Sequence, residues 1–350
     1  MKNVCSFAKG YGIAKENLST EGTPCILYGE LYTTYKTAIA KDIKSKTQLD
    51  PTDLFHSKAN DVIIPCSGET AIDIATSVCV PYDDVLLGGD LTVIRTRLNG
   101  AFLSNQLNGV RRKKIATIAQ GASIVHLHAD ELKKINITYP TREEQDKIAH
   151  FIDCLDERIA TQNKIISKYE SLIKGLCDRI FRGSKSMYLS DLVKCETSTL
   201  QENEVAASCE GEYKVFGASG KIATIGNYQF DKNAVLVLKD GSKAGKIQYA
   251  SGKYSVIGTS VVLIPKDFND ARYLYFAMLS IDFEKYKVGS GIPHIYFKDY
   301  SAERIYYPDC AQREKISKAL DAYETKVEIE KEMLSALQKQ KAFLLKTMFI

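Results

Sequence analysis

The sequence predicts an α+β protein: two globular mixed α/β blocks joined by two long helices that form an antiparallel coiled coil with pseudo-twofold symmetry. Three observations predict it. A segment occurs twice, Gly121–Phe181 and Gly289–Phe349, 168 positions apart and without a gap. Each copy ends in a long heptad pattern that needs an apolar partner. The blocks before the copies, residues 1–120 and 184–288, carry strand-like runs but share little sequence beyond their ends.

The repeat is legible residue by residue. Gly121, Ile124 and His126 match Gly289, Ile292 and His294, and Ile137, Tyr139 and Pro140 match Ile305, Tyr307 and Pro308. Lys147, Ile148, Asp153, Leu176 and Phe181 match Lys315, Ile316, Asp321, Leu344 and Phe349. At 350 residues, 45% hydrophobic and 26% charged, the chain is long enough for two domains with sizeable cores. The net charge is only +4, so any basic surface must be local. Nine cysteines with no CxxC spacing read as reduced thiols, which predicts a cytoplasmic protein. No apolar run approaches the length of a membrane span, and no targeting segment is visible.

In the first block, Asp61–Pro65 and Leu91–Ile94 read as strands, and Phe102–Ala116 as a helix that ends in Arg111-Arg112-Lys113-Lys114. That basic run is either a solvated helix end or an anion contact. Tyr28, Tyr32 and Tyr35 interleave with polar residues, and a tyrosine supplies area plus one hydroxyl. His126 and His128 alternate on a strand-like stretch. With no carboxylate or cysteine nearby they predict no metal site. In the second block, Ala234–Leu238 and Ser260–Ile264 read as buried strands and Ala271–Leu279 as a short helix. Gly-rich turns separate them. The turn Lys239–Lys246 is open to two readings: a loop that holds a phosphate through backbone N–H groups and lysine charge, or a hairpin with solvated lysines.

Each repeat then enters a helix. Pro140-Thr141-Arg142-Glu143-Glu144 is a good start, with Thr141 as cap, and Pro308-Asp309 does the same with Asp309. Ile148, Ile152, Leu155, Ile159, Ile166, Tyr169, Ile173, Leu176 and Ile180 fall on alternating steps of four and three, interrupted at Gln162. The second copy gives Ile316, Leu320, Tyr323, Val327, Leu334, Leu337, Leu344 and Met348, interrupted at Glu330 and Lys341. Forty residues at about 1.5 Å each make about 60 Å, too long for one side of a small domain. Each helix therefore needs a partner, and two equivalent halves predict the other copy, antiparallel. If Ile148 faces Met348, Gln162 and Glu330 fall near the dyad. They are either a polar layer that fixes register or two solvated residues.

No methyltransferase, dinucleotide-binding, nucleophile-elbow or zinc-protease motif is present, so no catalytic constellation is expected. The doubled pattern of variable block, Pro140–Ala149 and heptad helix ending in Ile180-Phe181 resembles the DNA-specificity subunit of type I restriction-modification enzymes. Gly10-Tyr11-Gly12-Ile13-Ala14-Lys15-Glu16-Asn17, followed by Tyr28-Gly29-Glu30-Leu31-Tyr32, is similar to one class of its target recognition domains. Two departures stand out. Arg313 lies where the first copy has Gln145, and the first block has little equivalent of Tyr188–Leu192, which predicts a missing edge strand.

The resemblance implies target recognition domains at 1–139 and 184–307 and conserved helices at 140–183 and 308–350. It implies a non-catalytic chain that reads a bipartite, asymmetric double-stranded DNA site and docks two methyltransferase subunits, with a motor-nuclease subunit as a further partner. S-adenosylmethionine would be bound by those partners and no cofactor by this chain. The candidate DNA contacts are Tyr28, Tyr32, Tyr35, Arg111, Arg112, Lys113, Ser123, Ser219, Lys221, Lys239, Ser242, Lys243, Lys246, Ser290 and His294. The candidate helix seam is Ile148, Ile152, Leu155, Ile159, Gln162 and Ile166 with Ile316, Leu320, Tyr323, Val327, Glu330 and Leu334. The rival expectation is a coiled-coil scaffold with no role on DNA.

Overall fold

The computed structural model describes residues 1–121, 124–182, 186–206, 211–289 and 291–349. The chain divides into two compact units, Met1–Asn163 with Glu332–Ile350, and Lys164–Lys331.

The first unit is built on an antiparallel sheet of β1 (Cys5–Lys9), β2 (Asp61–Pro65), β3 (Val78–Val80) and β4 (Leu91–Thr96), in the order β1-β4-β2-β3. β2 is buried along its whole length, which is why it reads as a continuous apolar run. Val62, Ile64 and Ile94 pack with Phe102, Leu103 and Leu107 of helix α1 (Gly100–Asn108). On the other face Ile63, Val78, Val80 and Val93 pack with Ile26, Leu31 and Tyr35. The helix expected over Phe102–Ala116 is two helices, α1 and a second at Arg112–Ile118. Gly109 ends α1, and a Cβ there would lie 2.6 Å from the carbonyl oxygen of Leu345. The close backbone approach breaks the helix, and a sequence pattern does not show it.

Helix α2 (Arg142–Phe181) starts in this unit. Thr141 and Glu144 form a reciprocal cap: Thr141 N–H donates to Glu144 Oε2 at 3.2 Å, and Glu144 N–H to Thr141 Oγ1 at 3.4 Å. Ile148, Ala149 and Ile152 join the α1 core, where Leu345, Met348 and Phe349 also pack, so the start of α2 runs beside the chain's last turns. Asp156 and Lys341 pair across the two helices, which explains the polar interruption at Lys341. Burial pushes the Asp156 carboxyl up even with that ammonium beside it.

The second unit repeats the sheet with unlike sequence. β5 (Val193–Thr197), β6 (Ala234–Leu238), β7 (Ile247–Ala250) and β8 (Ser260–Pro265) are ordered β5-β8-β6-β7, the same path as β1-β4-β2-β3. Helix α3 (Ala271–Met278) lies after β8 as α1 lies after β4. Of the stretch expected to lack an equivalent, Tyr188–Leu192, the part from Leu189 is matched by Met1–Val4, which leads into β1 as Leu189–Leu192 leads into β5. Met1 takes the place of Leu189: its ammonium donates to Ile135 O, where the Leu189 amide donates to Glu303 O. The two-residue strand Met187–Tyr188, which pairs with Arg304–Ile305, has no counterpart among the described residues of the first unit.

Helix α4 (Cys310–Thr347) starts in the second unit, capped by Asp309, which accepts from Gln312 N–H at 2.9 Å. Ile166, Ile173, Leu320 and Val327 are buried, and Lys331 pairs with Glu170 at 2.6 Å. Within each unit the two helix stretches therefore run in opposite directions. Tyr323 does not join the seam; it is 37% exposed. Beside it Asp321 and Glu324 pair with Arg272 of α3, so this layer faces the helix that follows the sheet. In the first unit Lys41 does the same to Asp153 and Glu157. Gln162 is buried, and Glu330 pairs with Lys326 on its own helix at 3.1 Å.

The Gln145/Arg313 departure is compensated. Gln145 accepts from the backbone N–H of Asn99, the residue before α1, and donates to Pro140 O, both at 2.9 Å. Arg313 donates to Asp270, the residue before α3, at 2.8 Å and to Pro308 O at 2.6 Å. Where one partner became cationic, the other became anionic. Asp270 is 4% exposed and also accepts from the Tyr307 hydroxyl.

Breaking a buried ion pair from one side strands a charge. Arg313→Gln should therefore cost about 3–5 kcal/mol, and adding Asp270→Asn should recover most of the loss in urea unfolding. Additive losses across the cycle would show that charge compensation is not what holds this joint.

Candidate nucleic-acid interface

At one place the repeat meets the variable blocks through main-chain hydrogen bonds. In the first unit a hairpin is closed by Gln120 N–H to His126 O (2.9 Å) and His126 N–H to Gln120 O (2.7 Å). In the second, Val288 and His294 make the same pair at 2.9 and 2.8 Å. The glycines after the first hairpin strands, Gly121 and Gly289, have φ of +132° and +97°, which favours glycine. The returning strand then binds the chain leaving the central strand of the sheet. Leu127 N–H donates to Cys66 O at 2.8 Å, and Ile295 N–H to Lys239 O at 2.9 Å. His126 lies opposite Ser67, and His294 opposite Asp240. Cys66 N–H goes to Asp90 O at 2.7 Å and Lys239 N–H to Thr259 O at 2.9 Å.

This scheme makes residues 66–69 of one unit the counterparts of 239–242 of the other. The tip of each loop, Glu69 or Ser242, follows a glycine, Gly68 or Gly241. The same end of each sheet carries the loops leaving β1 and β5 and those entering β4 and β8.

In the second unit the tip is basic. Lys243 and Lys246 are exposed, with Ser242 between Gly241 and Lys243. The amides of Lys239, Gly241, Ala244, Gly245 and Lys246 all donate to carbonyls, so an anion here would meet side chains and the amides of the Ser242-Lys243 tip. Asp240 accepts from His294 Nδ1 at 2.8 Å and lies 3.0 Å from Lys239 Nζ. Burial works to raise its pKa, but the hydrogen bonds from His294 and Lys239 prevail and hold it below the ordinary carboxylate value. Lys174 and Arg182 of the long-helix segment, with Ser242, Lys243, Lys246 and Lys287, line a groove of about 560 Å³. Ser219 lies in an exposed two-residue hairpin turn, Ala218-Ser219, and Lys221 is exposed on the strand that follows, opposite Phe216.

In the first unit Tyr28 is 36% exposed and Tyr32 half-buried against Gly68. Tyr35 is only 8% exposed and belongs to the core, so it is not a surface group; the short helix Glu30–Thr33 turns it inward. Arg112 donates to Ile72 O and Thr76 Oγ1, tying down the segment after the Ser67–Thr70 tip, while Arg111 is half-buried and Lys113 exposed. Ser123 and Ser290 lie outside the described residues. A cleft of about 850 Å³ opens between Lys9, Tyr11, Lys15, Tyr28, Glu30 and Asp90. Sequence reading missed this cleft and the Ser67–Thr70 tip. The Gly10–Asn17 stretch that forms one wall was the available signal, whereas the tip carries no charge run.

Among the described residues no three His, Cys, Asp or Glu side chains are grouped to hold a metal ion, and no helix is long and apolar enough to cross a membrane. The eight described cysteines are unbridged. Burial pushes the thiols of Cys25, Cys79 and Cys177 up to about 11, 12 and 12, which keeps them protonated.

Two mixed α/β recognition domains on one repeated frame, each continued into long helices that run beside each other in opposite directions, define the architecture of an S subunit. The chain belongs to the type I restriction modification DNA specificity domain family, whose pattern matches residues 1–171 and 182–339. It is similar to the type I restriction enzyme MjaVIII specificity subunit of Methanocaldococcus jannaschii, with 28% identity over 144 residues, 39% of this chain and 33% of that protein. It is also similar to the type I restriction enzyme EcoDI specificity subunit of Escherichia coli, with 28% identity over 156 residues, 44% of this chain and 34% of that protein. The match thus spans about one third of the length of these curated relatives. The crystal structure of a type I restriction-modification system S subunit from M. genitalium has the same fold, with a TM-score of 0.67, 17% identity and coverage of 100% of this chain and 94% of that one. A structure of a type I R-M system described for complex assembly and conformational transition aligns at TM-score 0.54 and 15% identity, covering 98% and 97%.

The loop geometry predicts unequal glycines. Gly245 has φ +89° and a Cβ there would lie 2.5 Å from Phe283 Cβ, whereas Gly241 has φ +91° with nothing within 4 Å. Gly241→Ala should cost about 1 kcal/mol of backbone strain. Gly245→Ala should cost clearly more and should loosen amide exchange at Ala244 and Lys246. Equal costs in unfolding experiments would contradict this packing.

Proposed function

We propose that this chain is the DNA-reading subunit of a type I modification enzyme: it recognises a bipartite, asymmetric double-stranded site, one half-site per recognition domain. The observation that carries this is the shared main-chain scheme that presents unlike tips, Ser67–Thr70 and Asp240–Lys246, at the same end of two equivalent sheets. A constant frame with variable tips suits reading of two different sequences. The domains correspond to residues 1–139 and 184–307, with the helices 140–183 and 308–350 as spacer and docking surface. Tyr28, Tyr32, Lys113, Lys221, Lys239, Ser242, Lys243 and Lys246 are the contacts we favour; Tyr35, buried in the core, is not among them.

The chemistry belongs to partners. Two methyltransferase subunits that bind S-adenosylmethionine would dock on the helices, and this chain would be non-catalytic. Phe343 (65% exposed), Met333 (50%) and Phe151 (44%) stand in water on the helix stretches of the first unit, where a docking partner would cover them. A motor-nuclease subunit is a further partner in this reading.

Methylome sequencing of cells with and without the chain tests the proposal. A two-part motif separated by unread bases should appear only with the chain. Binding of that site by the purified complex should weaken with salt, with a slope of about −0.9 in log K per phosphate contacted. Salt-independent binding, or a single uninterrupted motif, would defeat the reading and favour a protein-interaction scaffold.

The spacer role has its own test. Each long helix is one element contributing to both units. Removing Ser167–Ile173 together with the facing residues 328–334 deletes Glu170 and Lys331 as a pair. One heptad is about 10 Å, so the unread spacer should shorten by about three base pairs at 3.4 Å each. An unchanged spacer in the methylome would remove the helices as the ruler.

A further inference from the structure

The main-chain scheme makes Glu69 the counterpart of Ser242, yet the two tips differ in charge. Lys239, Lys243 and Lys246 surround the second tip, while Asp73 and Asp90 flank the first, where Asp90 accepts from Ser67 Oγ at 3.1 Å. The first tip is packed and tied by hydrogen bonds. Gly68 is enclosed, since a Cβ there would lie 2.4 Å from Ile74 Cγ2 and 3.8 Å from the Tyr32 ring. Thr70 caps the next turn by accepting from Asp73 N–H and donates its own hydroxyl to Asp73. Asp73 and Asp90 are thus tied into the loop. Glu69 is exposed, and among the described residues no hydrogen bond or ion pair engages its carboxylate.

A free carboxylate on such a loop is unfavourable beside phosphate oxygens. It is favourable beside a base edge that donates, because Glu and Asp accept from an exocyclic amino group. We propose that Glu69 reads one base of the first domain's half-site by accepting a hydrogen bond from an exocyclic amino group, cytosine N4 or adenine N6, and that Tyr32, packed on Gly68, holds the loop for that contact. The counterpart at Ser242-Lys243 presents donors and reads an acceptor-rich edge of the guanine type. This deepens the DNA-reading function above and rests on it.

The test is the methylome written by the complete enzyme carrying Glu69→Ala, Glu69→Gln or Lys243→Ala. Lys243→Ala should relax a guanine-containing half-site, and Glu69→Ala should relax one position of the other half by about ten- to a hundredfold. Glu69→Gln separates the two amines. A glutamine can bond both N6 and N7 of adenine, so an adenine position keeps its preference, while a cytosine position loses it. Unchanged selectivity in both Glu69 variants, or relaxation in the half-site that Lys243 reads, overturns the inference while leaving the two-part motif intact. A wild-type chain that gives no two-part motif overturns the DNA-reading function itself.

Discussion

The structure depends on a junction made from backbone alone. The returning hairpin strand binds the chain leaving the central strand of each sheet through Leu127 N–H to Cys66 O and Ile295 N–H to Lys239 O. Main-chain bonds are indifferent to side-chain identity except where a positive φ or a close approach demands glycine. Gly121 and Gly289 meet that demand on one side of the junction, and Gly68 and Gly241 stand at the tips. Everything beyond those positions is free to diverge without moving the loop. The first unit has accordingly drifted to Ser-Gly-Glu-Thr and the second to Asp-Gly-Ser-Lys on the same hydrogen bonds.

The joints between domain and helix obey the opposite rule. They are made of side chains, so a change on one partner requires a change on the other. Gln145 with Asn99 is neutral, and Arg313 with Asp270 is charged, yet both reach the carbonyl of the proline that starts the helix. Lys41 on Asp153 and Glu157 is mirrored by Arg272 on Asp321 and Glu324, although the two cations come from different elements. A buried ion pair contributes little net stability against an apolar substitute, but its half-removal is costly. Such pairs therefore fix how each helix leaves its domain more than they strengthen the fold.

This division explains what the sequence makes legible. The long helices were readable because heptads and capping residues are local signals, and Thr141 and Asp309 cap as expected. The central strands were readable as apolar runs. The shared sheet path of the two blocks was not readable, because it resides in strand order, and the side chains that would betray it have diverged. The break at Gly109 depends on a carbonyl of Leu345 that is remote in sequence. Of the candidate contacts, the lysine loop stood out by composition, whereas Glu69 has meaning only once the hairpin hydrogen bonds align it with Ser242. Tyr35 shows the converse failure: aromatic spacing cannot separate a groove residue from a core one.

A net charge of +4 looks weak for a DNA reader, and the two tips show why it need not be larger. Phosphate attraction supplies affinity without sequence information, and base edges supply the information. A cation at a tip serves both ends, but it also holds every wrong sequence more tightly. An acceptor at a tip adds nothing to phosphate binding and penalises every base that offers no donor. If one tip supplies Lys243 and Lys246 and the other Glu69, the first holds phosphate as well as reading its half-site, and the second reads without adding phosphate affinity. A modest overall charge is compatible with such tips, and specificity can rise without a matching rise in nonspecific affinity.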